Sequence, residues 1–337
     1  MKIQRVRAAT LQDVADLAGV SRCTASSVLN GARSGTRTSE ATRERVRQAA
    51  AELAYRPNAV ARSLRHQTTQ TIGFYNGYGY VDARNPFLSD LIAGFHAECD
   101  ATDNDLLIHR VSNRSNVRVK FLELISGKVD GVILWTPQDD PLSTMVAERQ
   151  FPAVAIADAH PELPSVTADD AGGSIIIARR LAEQGHKRVL YRLISEGRWS
   201  SDQRYHSFLA EAVRLGMQVT TGIASDYAGT LSEQERRLIT GPADIRPTAV
   251  VSWCDNYAMA TCEFLKEQGI PIGSGGMAVA GFDGFEFQGL AMKLTSVQIP
   301  WDQVAVAAVD VLRRVIEGES VSKITSVPVT LIEGDTG

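Results

Sequence analysis

Hydrophobic positions in the chain keep a helical period at first and a strand-and-helix alternation later. Between residues 10 and 55, Leu11, Val14, Ala15 and Ala18 form one helical stripe, Ala25, Val28 and Leu29 a second, and Val46, Ala49, Ala50 and Leu53 a third. Thr10, with Asp13 three residues on, predicts a capped start for the first helix. Ser21 and Ser39 do the same for the second and third. Gly19-Val20 predicts a tight turn between the first two, so the pattern is a helix-turn-helix covered by a third helix, with Tyr55 as its lid. The outward face of the second helix carries Arg22, Cys23, Ser26, Ser27 and Asn30. Such short or hydrogen-bonding groups suit a helix lying in a major groove, and they equally suit a helical hairpin with a solvated polar face.

Asn58 can cap a short helix, AVARSLR, which is too short and too poor in apolar surface to be stable alone. HQTTQ follows as a polar linker. From Thr71 the period changes to apolar runs alternating with helical stretches. The runs TIGFY, LLIHRV, DGVILW and AVAIA predict strands, with helices near 88–101, 116–126 and 139–149. RVLYRLI, MQVTTGIA, TAVVSW and MAVAGF predict a second series, with helices near 168–185, 202–216, 231–240 and 255–268. LTSVQI, a helix near 302–317 and SVPVTLIE complete the chain. Such alternation predicts two parallel-sheet lobes with a cleft at the carboxyl ends of their strands.

Charge sharpens the division. Residues 1–66 hold 12 Lys and Arg against 5 Asp and Glu, a net +7, whereas the remainder holds 23 against 34, a net −11. A basic small domain beside an acidic large one is the footprint of a nucleic-acid reader carried by a different module. The four cysteines, Cys23, Cys99, Cys254 and Cys262, lack C-x-x-C spacing, which suits a reducing cytoplasm. The N-terminus has no apolar run of a signal peptide, and no stretch approaches eighteen apolar residues, so a cytoplasmic protein without membrane spans is expected.

The residues T-L-x-D-V-A-x-x-A-G-V-S-x-x-T-x-S-x-V-L-N over Thr10–Asn30, followed by Y-R-P-N-A-V-A-R-S-L over Tyr55–Leu64, resemble the lactose-repressor (LacI) family of bacterial transcription regulators. The resemblance runs the length of the chain. It implies an N-terminal all-α helix-turn-helix domain plus an α/β periplasmic-binding-protein-like (type I) effector domain of two Rossmann-like lobes. The helix-turn-helix would occupy 1–57, a hinge helix and linker 58–70, and the effector and dimerisation domain 71–337. Within the last, the family's three crossings would give lobe one about 71–165 and 297–326 and lobe two about 166–296 and 327–337. The last helix would return to the first lobe and the last strand to the second.

By the same resemblance, DNA contacts fall to Thr10, Ser21, Arg22, Cys23, Thr24, Ser26, Ser27, Asn30 and Tyr55. At the hinge they fall to Asn58, Ala61 and Leu64, with Leu64 a wedge between base steps in the minor groove. Two positions depart from the family. Ser27 stands where the family commonly has an arginine that reads guanine, and Ala25 where it has valine. Losing a bidentate arginine contact removes roughly 1–3 kcal/mol of discrimination at one base pair, so a different operator is expected.

Aromatics cluster at strand ends, among them Tyr78, Tyr80, Phe87, Trp135, Trp199, Tyr227 and Trp253. The resemblance places Phe87 and Trp135 at an effector pocket, with Asp158 a further candidate from the first lobe. Arg204, Tyr227, Asp255 and Asp283 would face them from the second, and Arg198 lies in a loop that contacts effectors in this family. For Asp255 and Asp283, helix N-capping is the competing role. Rings with an arginine and carboxylates suit a polyhydroxylated ligand, so a carbohydrate effector is expected. Enzyme signatures are weak. The chain has no G-x-G-x-x-G, Walker or G-x-S-x-G motif and no metal-spaced histidine pair, so no catalysis, cofactor or metal is expected. The partners expected are a pseudo-palindromic double-stranded operator, a small effector and a second copy of the chain. The rival classes are a transporter's solute-binding protein, which leaves residues 1–66 unexplained, and a sugar-metabolising α/β enzyme with an accessory helical domain, against which ligand binding without turnover would discriminate.

Overall fold

A computed structural model describes residues 9–30, 38–56, 63, 67–79, 81–82, 84–109, 116–194, 198–224, 226, 228–286 and 292–337, the side chain of Asn30 excepted. The hinge residues Asn58, Ala61 and Leu64, and the cleft candidates Tyr80 and Tyr227, lie outside the described residues. The chain divides into two compact units, 1–69 and 70–337.

The first unit holds three helices, α1 (Leu11–Ala18), α2 (Arg22–Asn30) and α3 (Glu40–Glu52). The three stripes meet as read from the sequence. Val14, Ala15, Ala25 and Val46 have no exposed surface, and Leu11, Val28, Leu53 and Tyr55 pack around them. A core this small consists largely of alanine and valine, which allows the helices to approach closely.

The second unit is a pair of α/β lobes. The first contains β1 (Thr71–Asn76), α4 (Pro86–Ala101), β2 (Asp105–Ile108), α5 (Val117–Leu124), β3 (Gly131–Trp135), α6 (Pro141–Glu148), β4 (Ala153–Ile156) and β5 (Ser165–Ala168). The second contains α7 (Asp170–Glu183), β6 (Arg188–Leu193), α8 (Trp199–Arg214), β7 (Gln218–Ile223), α9 (Glu233–Thr240), β8 (Ala249–Ser252), α10 (Asp255–Glu267), β9 (Ala278–Asp283) and β10 (Thr295–Gln298). The chain then returns through α11 (Trp301–Ile316) and β11 (Ile324–Val327) and ends with β12 (Thr330–Ile332). Strand order is β11-β5-β4-β3-β1-β2 in one sheet and β12-β10-β9-β8-β6-β7 in the other.

Three details differ from the sequence reading. Ser165–Ala168 is a strand between β4 and β11, so the first lobe extends past 165 and the chain crosses at Asp169. Its four residues are all buried and non-alternating, which gives no period to detect. SVPVTLIE is two strands, because Pro328 has no N–H for a ladder. β11 ends at Val327 in the first sheet, and β12 pairs antiparallel to β10 in the second. Between them, β10 stays in the second sheet to Gln298 before α11 crosses back.

α11 lies against α4 and covers β3, β4 and β5. Gly94 makes the α4–α11 approach possible, since a Cβ there would collide with the Asp302 carbonyl oxygen and the Ala305 methyl. The apolar interior runs unbroken from Phe74, Ile133 and Val154 to Tyr191, Val251 and Phe282.

Candidate functional site

Local rules set the reading head. Thr10 and Asp13 form a complete capping box: Thr10 N–H donates to Asp13 Oδ2 at 2.7 Å, and Asp13 N–H donates to Thr10 Oγ1 at 3.3 Å. α1 ends at Gly19 in the left-handed region, φ 64°, and Val20 N–H donates back to the Ala15 carbonyl at 3.0 Å. Ser21 Oγ then accepts from Thr24 N–H at 3.1 Å and caps α2. Ser21 and Thr24 are thereby tied to the helix start, with their hydroxyls 2.8 Å apart. Arg22 and Cys23 are exposed, Ser26 and Ser27 half-buried, and Tyr55 packs on the helical core.

In the second unit, a cavity of about 260 Å³ opens at the carboxyl ends of β3, β4, β8 and β9, where open α/β folds bind ligands. Six of the sequence candidates line it: Phe87, Trp135, Asp158, Arg198, Arg204 and Asp283. Asn85, Ser200, Trp253, Asn256, Phe285 and Trp301 join them.

Rings form a row along the first-lobe side. Centroids lie 4.6 Å apart for Tyr78–Trp135, 4.7 Å for Phe87–Trp135 and 4.6 Å for Phe87–Trp301, the last edge-to-face. Each pair holds the offset or tilted geometry that ring quadrupoles favour. Tyr78 does not line the cavity and instead supports it from behind Trp135 and beneath Arg198. Trp301 was missed in the sequence because its place depends on a lobe crossing; its visible signal was a Pro-Trp pair opening a helix directly after a strand.

The second lobe supplies the polar wall. Arg204 sits in the second turn of α8, deeper in the helix than the sequence reading had it, and is 2% exposed. Its Nε donates to Asp170 Oδ1 at 2.6 Å, its Nη1 donates to the Trp253 carbonyl at 2.6 Å, and its plane stacks 4.5 Å from the Phe282 centroid. Burial opposes the guanidinium charge, but the carboxylates of Asp170 and Asp283 outweigh that penalty and keep it charged. Asp170, the partner unmarked by any motif, has its carboxyl raised by burial to about 6 despite the pull of Arg204.

Asp158 is committed within the protein. Its Oδ1 accepts from Ser200 N–H at 2.9 Å and Ser200 Oγ at 2.7 Å, fastening the first turn of α8 to the end of β4. Asp283 keeps its carboxyl at the cavity, and burial raises it to about 7 against the attraction of Arg204. Two lining residues have left-handed backbone, Ala157 at φ 69° and Asp283 at φ 113°. Non-glycine residues hold such angles only where their surroundings over-determine them, which is common in ligand clefts.

Asp255 takes neither of the roles weighed for it. It does not line the cavity, and the cap of α10 is Cys254. Its Oδ2 accepts from Gly284 N–H at 2.8 Å and Phe285 N–H at 2.9 Å, and its Oδ1 from Ser296 Oγ at 2.6 Å. The carboxylate therefore holds the loop after β9, fixing Asp283 and Phe285 in place. Among the described residues no group of three or more His, Cys, Asp or Glu is placed to hold a metal ion, and no helix is long and apolar enough to cross a membrane.

Known proteins share both units. Residues 10–58 match the model of bacterial regulatory proteins, lacI family, and residues 178–336 match that of the periplasmic binding protein-like domain. The chain thus carries a lacI-family helix-turn-helix domain and a periplasmic-binding-protein-like domain, and it is similar to lacI-family regulators over nearly its whole length. It is 29% identical to the HTH-type transcriptional regulator GalR of Escherichia coli strain K12 over 95% of this chain and 92% of that one. It is 28% identical to the ribose operon repressor of the same strain, over 90% and 92%. Among solved structures it resembles the lac repressor dimer bound to operator and the anti-inducer ONPF, with TM-score 0.82, 25% identity and coverage of 98% and 99%. A transcriptional regulator CelR–cellobiose complex matches with TM-score 0.70, 25% identity and coverage of 98% and 100%. With these two domains the chain is a DNA-binding transcription regulator under the control of a small effector.

Proposed function

We propose that the chain is a repressor that binds a pseudo-palindromic operator as a homodimer and is switched by a carbohydrate in the cleft between its lobes. The observation that carries this reading is the composition of the cavity, with a row of contacting rings from one lobe facing arginine and carboxyl groups from the other. Sugars present an apolar face and a rim of hydroxyls, and this wall is built in the same two parts. Phe87, Trp135 and Trp301 take the apolar face; Asp283, Arg198 and Arg204 take the rim. Because the two groups sit on different lobes, a ligand touching both favours one lobe angle, and it acts through its differential affinity for the two arrangements.

At the DNA, Arg22, Cys23, Ser26, Ser27 and Asn30 face the major groove of each half-site, with Thr10, Ser21, Thr24 and Tyr55 holding the backbone register. Asn58, Ala61 and Leu64 form the hinge in this reading. The relatives named above are repressors and regulators by name, and the operator and cellobiose complexes belong to structures that the whole chain matches. The test is selection from a random duplex library with the full chain. The expected product is a two-fold symmetric site whose affinity falls linearly with the logarithm of salt concentration, with a slope of about −0.9 per phosphate neutralised. Recovery of no common site would contradict the reading.

A further inference from the structure

Arg198 differs from every other charged group of the cavity in how it is compensated. Arg204 is paired with Asp170, and Asp158 is bonded twice by Ser200. Arg198, by contrast, has no carboxylate partner among the described residues, and its Nε is buried without a hydrogen-bond acceptor. Rings surround it instead. Its guanidinium carbon lies 4.2 Å from the Tyr78 centroid, 5.7 Å from that of Trp253 and 5.9 Å from that of Trp135. Aromatic faces compensate a cation only partly. Stacked on Tyr78, the guanidinium leaves its in-plane edges unused, and those edges are where it bonds an anion in a bidentate fork.

We propose that the effector is an acidic carbohydrate, one hydroxylated ring or two, whose anionic group docks on the in-plane edge of Arg198. This rests on the cleft reading above and adds the charge of its ligand. The apolar row Trp135–Phe87–Trp301 starts beside Arg198, 5.9 Å from the Trp135 centroid, so the ring of the ligand lies along it, with Asp283 and Phe285 lining the same cavity. The carboxyl groups that line the cavity do not repel such a ligand strongly. Asp158 has its Oδ1 occupied by two donors from Ser200, and Asp283 is partly protonated near neutral pH, with burial holding it at about 7. A cavity of about 260 Å³ admits one or two sugar rings.

The experiment is calorimetric titration of the full-length protein with D-glucuronate, D-galacturonate, D-gluconate and D-glucose 6-phosphate. D-glucose, D-galactose and cellobiose serve as neutral counterparts. At least one acid is expected to bind about ten- to hundredfold more tightly than its neutral counterpart, and Arg198→Gln to remove that advantage by weakening the acid more than the neutral sugar. Arg198→Lys, which keeps the charge and loses the fork, should fall between them. Binding by the carboxylates or by glucose 6-phosphate identifies the source of the anionic group. If no acid binds more tightly than its neutral counterpart, or if Arg198→Gln binds the acid as the wild type does, the proposal is overturned and Arg198 merely packs the lobes together. Trp135→Ala separates the two readings. Neutral sugars that bind the wild type and not this variant leave the cleft standing without the acidic group; ligand binding indifferent to it removes the cleft as well.

Discussion

At the residue scale, the cleft owes its character to carboxyl groups with unequal duties. Asp158 accepts two donors from Ser200 at Oδ1, Asp255 three donors across both oxygens and Asp170 an arginine, while Asp283 faces the Asp255 N–H and the Trp301 side chain. Burial raises the carboxyls of Asp170, Asp255 and Asp283, and each such shift ties folding stability to pH. Asp283 is raised from 3.8 to about 7, chiefly by burial. The folded state therefore holds a proton that the unfolded state releases in that interval, and folding stability should decline as pH rises from about 4 to about 7. Asp283→Asn should flatten this decline, measured by urea denaturation across the range; an unchanged slope would remove Asp283 as its source. Arg204→Met leaves Asp170 buried without its counter-charge and should cost about 3–5 kcal/mol at pH 8. The loss should shrink at pH 5, where Asp170, raised to about 6, is protonated. The sequence, through strand ends and the family motif, marked Phe87, Trp135, Arg204 and Asp283, which all line this cavity. It misplaced Asp255 because nothing in a helix's first residue tells which loop its carboxylate faces. It missed Asp170 because a buried counter-ion has no motif of its own.

Among the elements, two close contacts position the site. Helices α4 and α11 cross over Gly94, and their first turns carry Phe87 and Trp301 into edge-to-face contact at 4.6 Å. Gly94→Ala should force the helices apart, cost about 1–3 kcal/mol and weaken ligand binding through displaced rings. Wild-type thermal stability in that variant would show that the crossing is looser than drawn. In the second lobe, Arg192 on β6 is wholly buried, and its Nε donates to Glu235 Oε1 at 2.8 Å. It also donates to the Tyr257 and Gly229 carbonyls and to Thr261 Oγ1. Glu235 Oε2 closes the capping box of α9, accepting from Ser232 N–H at 2.7 Å. One carboxylate thus ties a helix start to a central strand. Glu235→Ala should destabilise the lobe by about 3–5 kcal/mol, since it strands a buried guanidinium. Helical stripes and strand runs were legible wherever burial was periodic. They failed at β5, whose four residues are uniformly buried, and at the β11–β12 break, where a proline rather than a polar turn separates strands of different sheets.

On the scale of the molecule, the basic excess of residues 1–66 and the cleft of residues 70–337 are separate devices in one chain. Regulation requires them to be coupled. A coupling free energy of about 1–3 kcal/mol, or 5- to 150-fold in affinity, is the usual size. The most direct test is the affinity of the full-length protein for its selected operator, titrated with whichever sugar raises its thermal stability most. The wild type and Asp283→Asn are compared at one salt concentration. The ligand is expected to shift wild-type operator affinity at least fivefold. Asp283→Asn should bind ligand-free operator as the wild type does and lose the shift. A wild-type operator affinity indifferent to the ligand, or a shift of equal size in Asp283→Asn, would contradict the account.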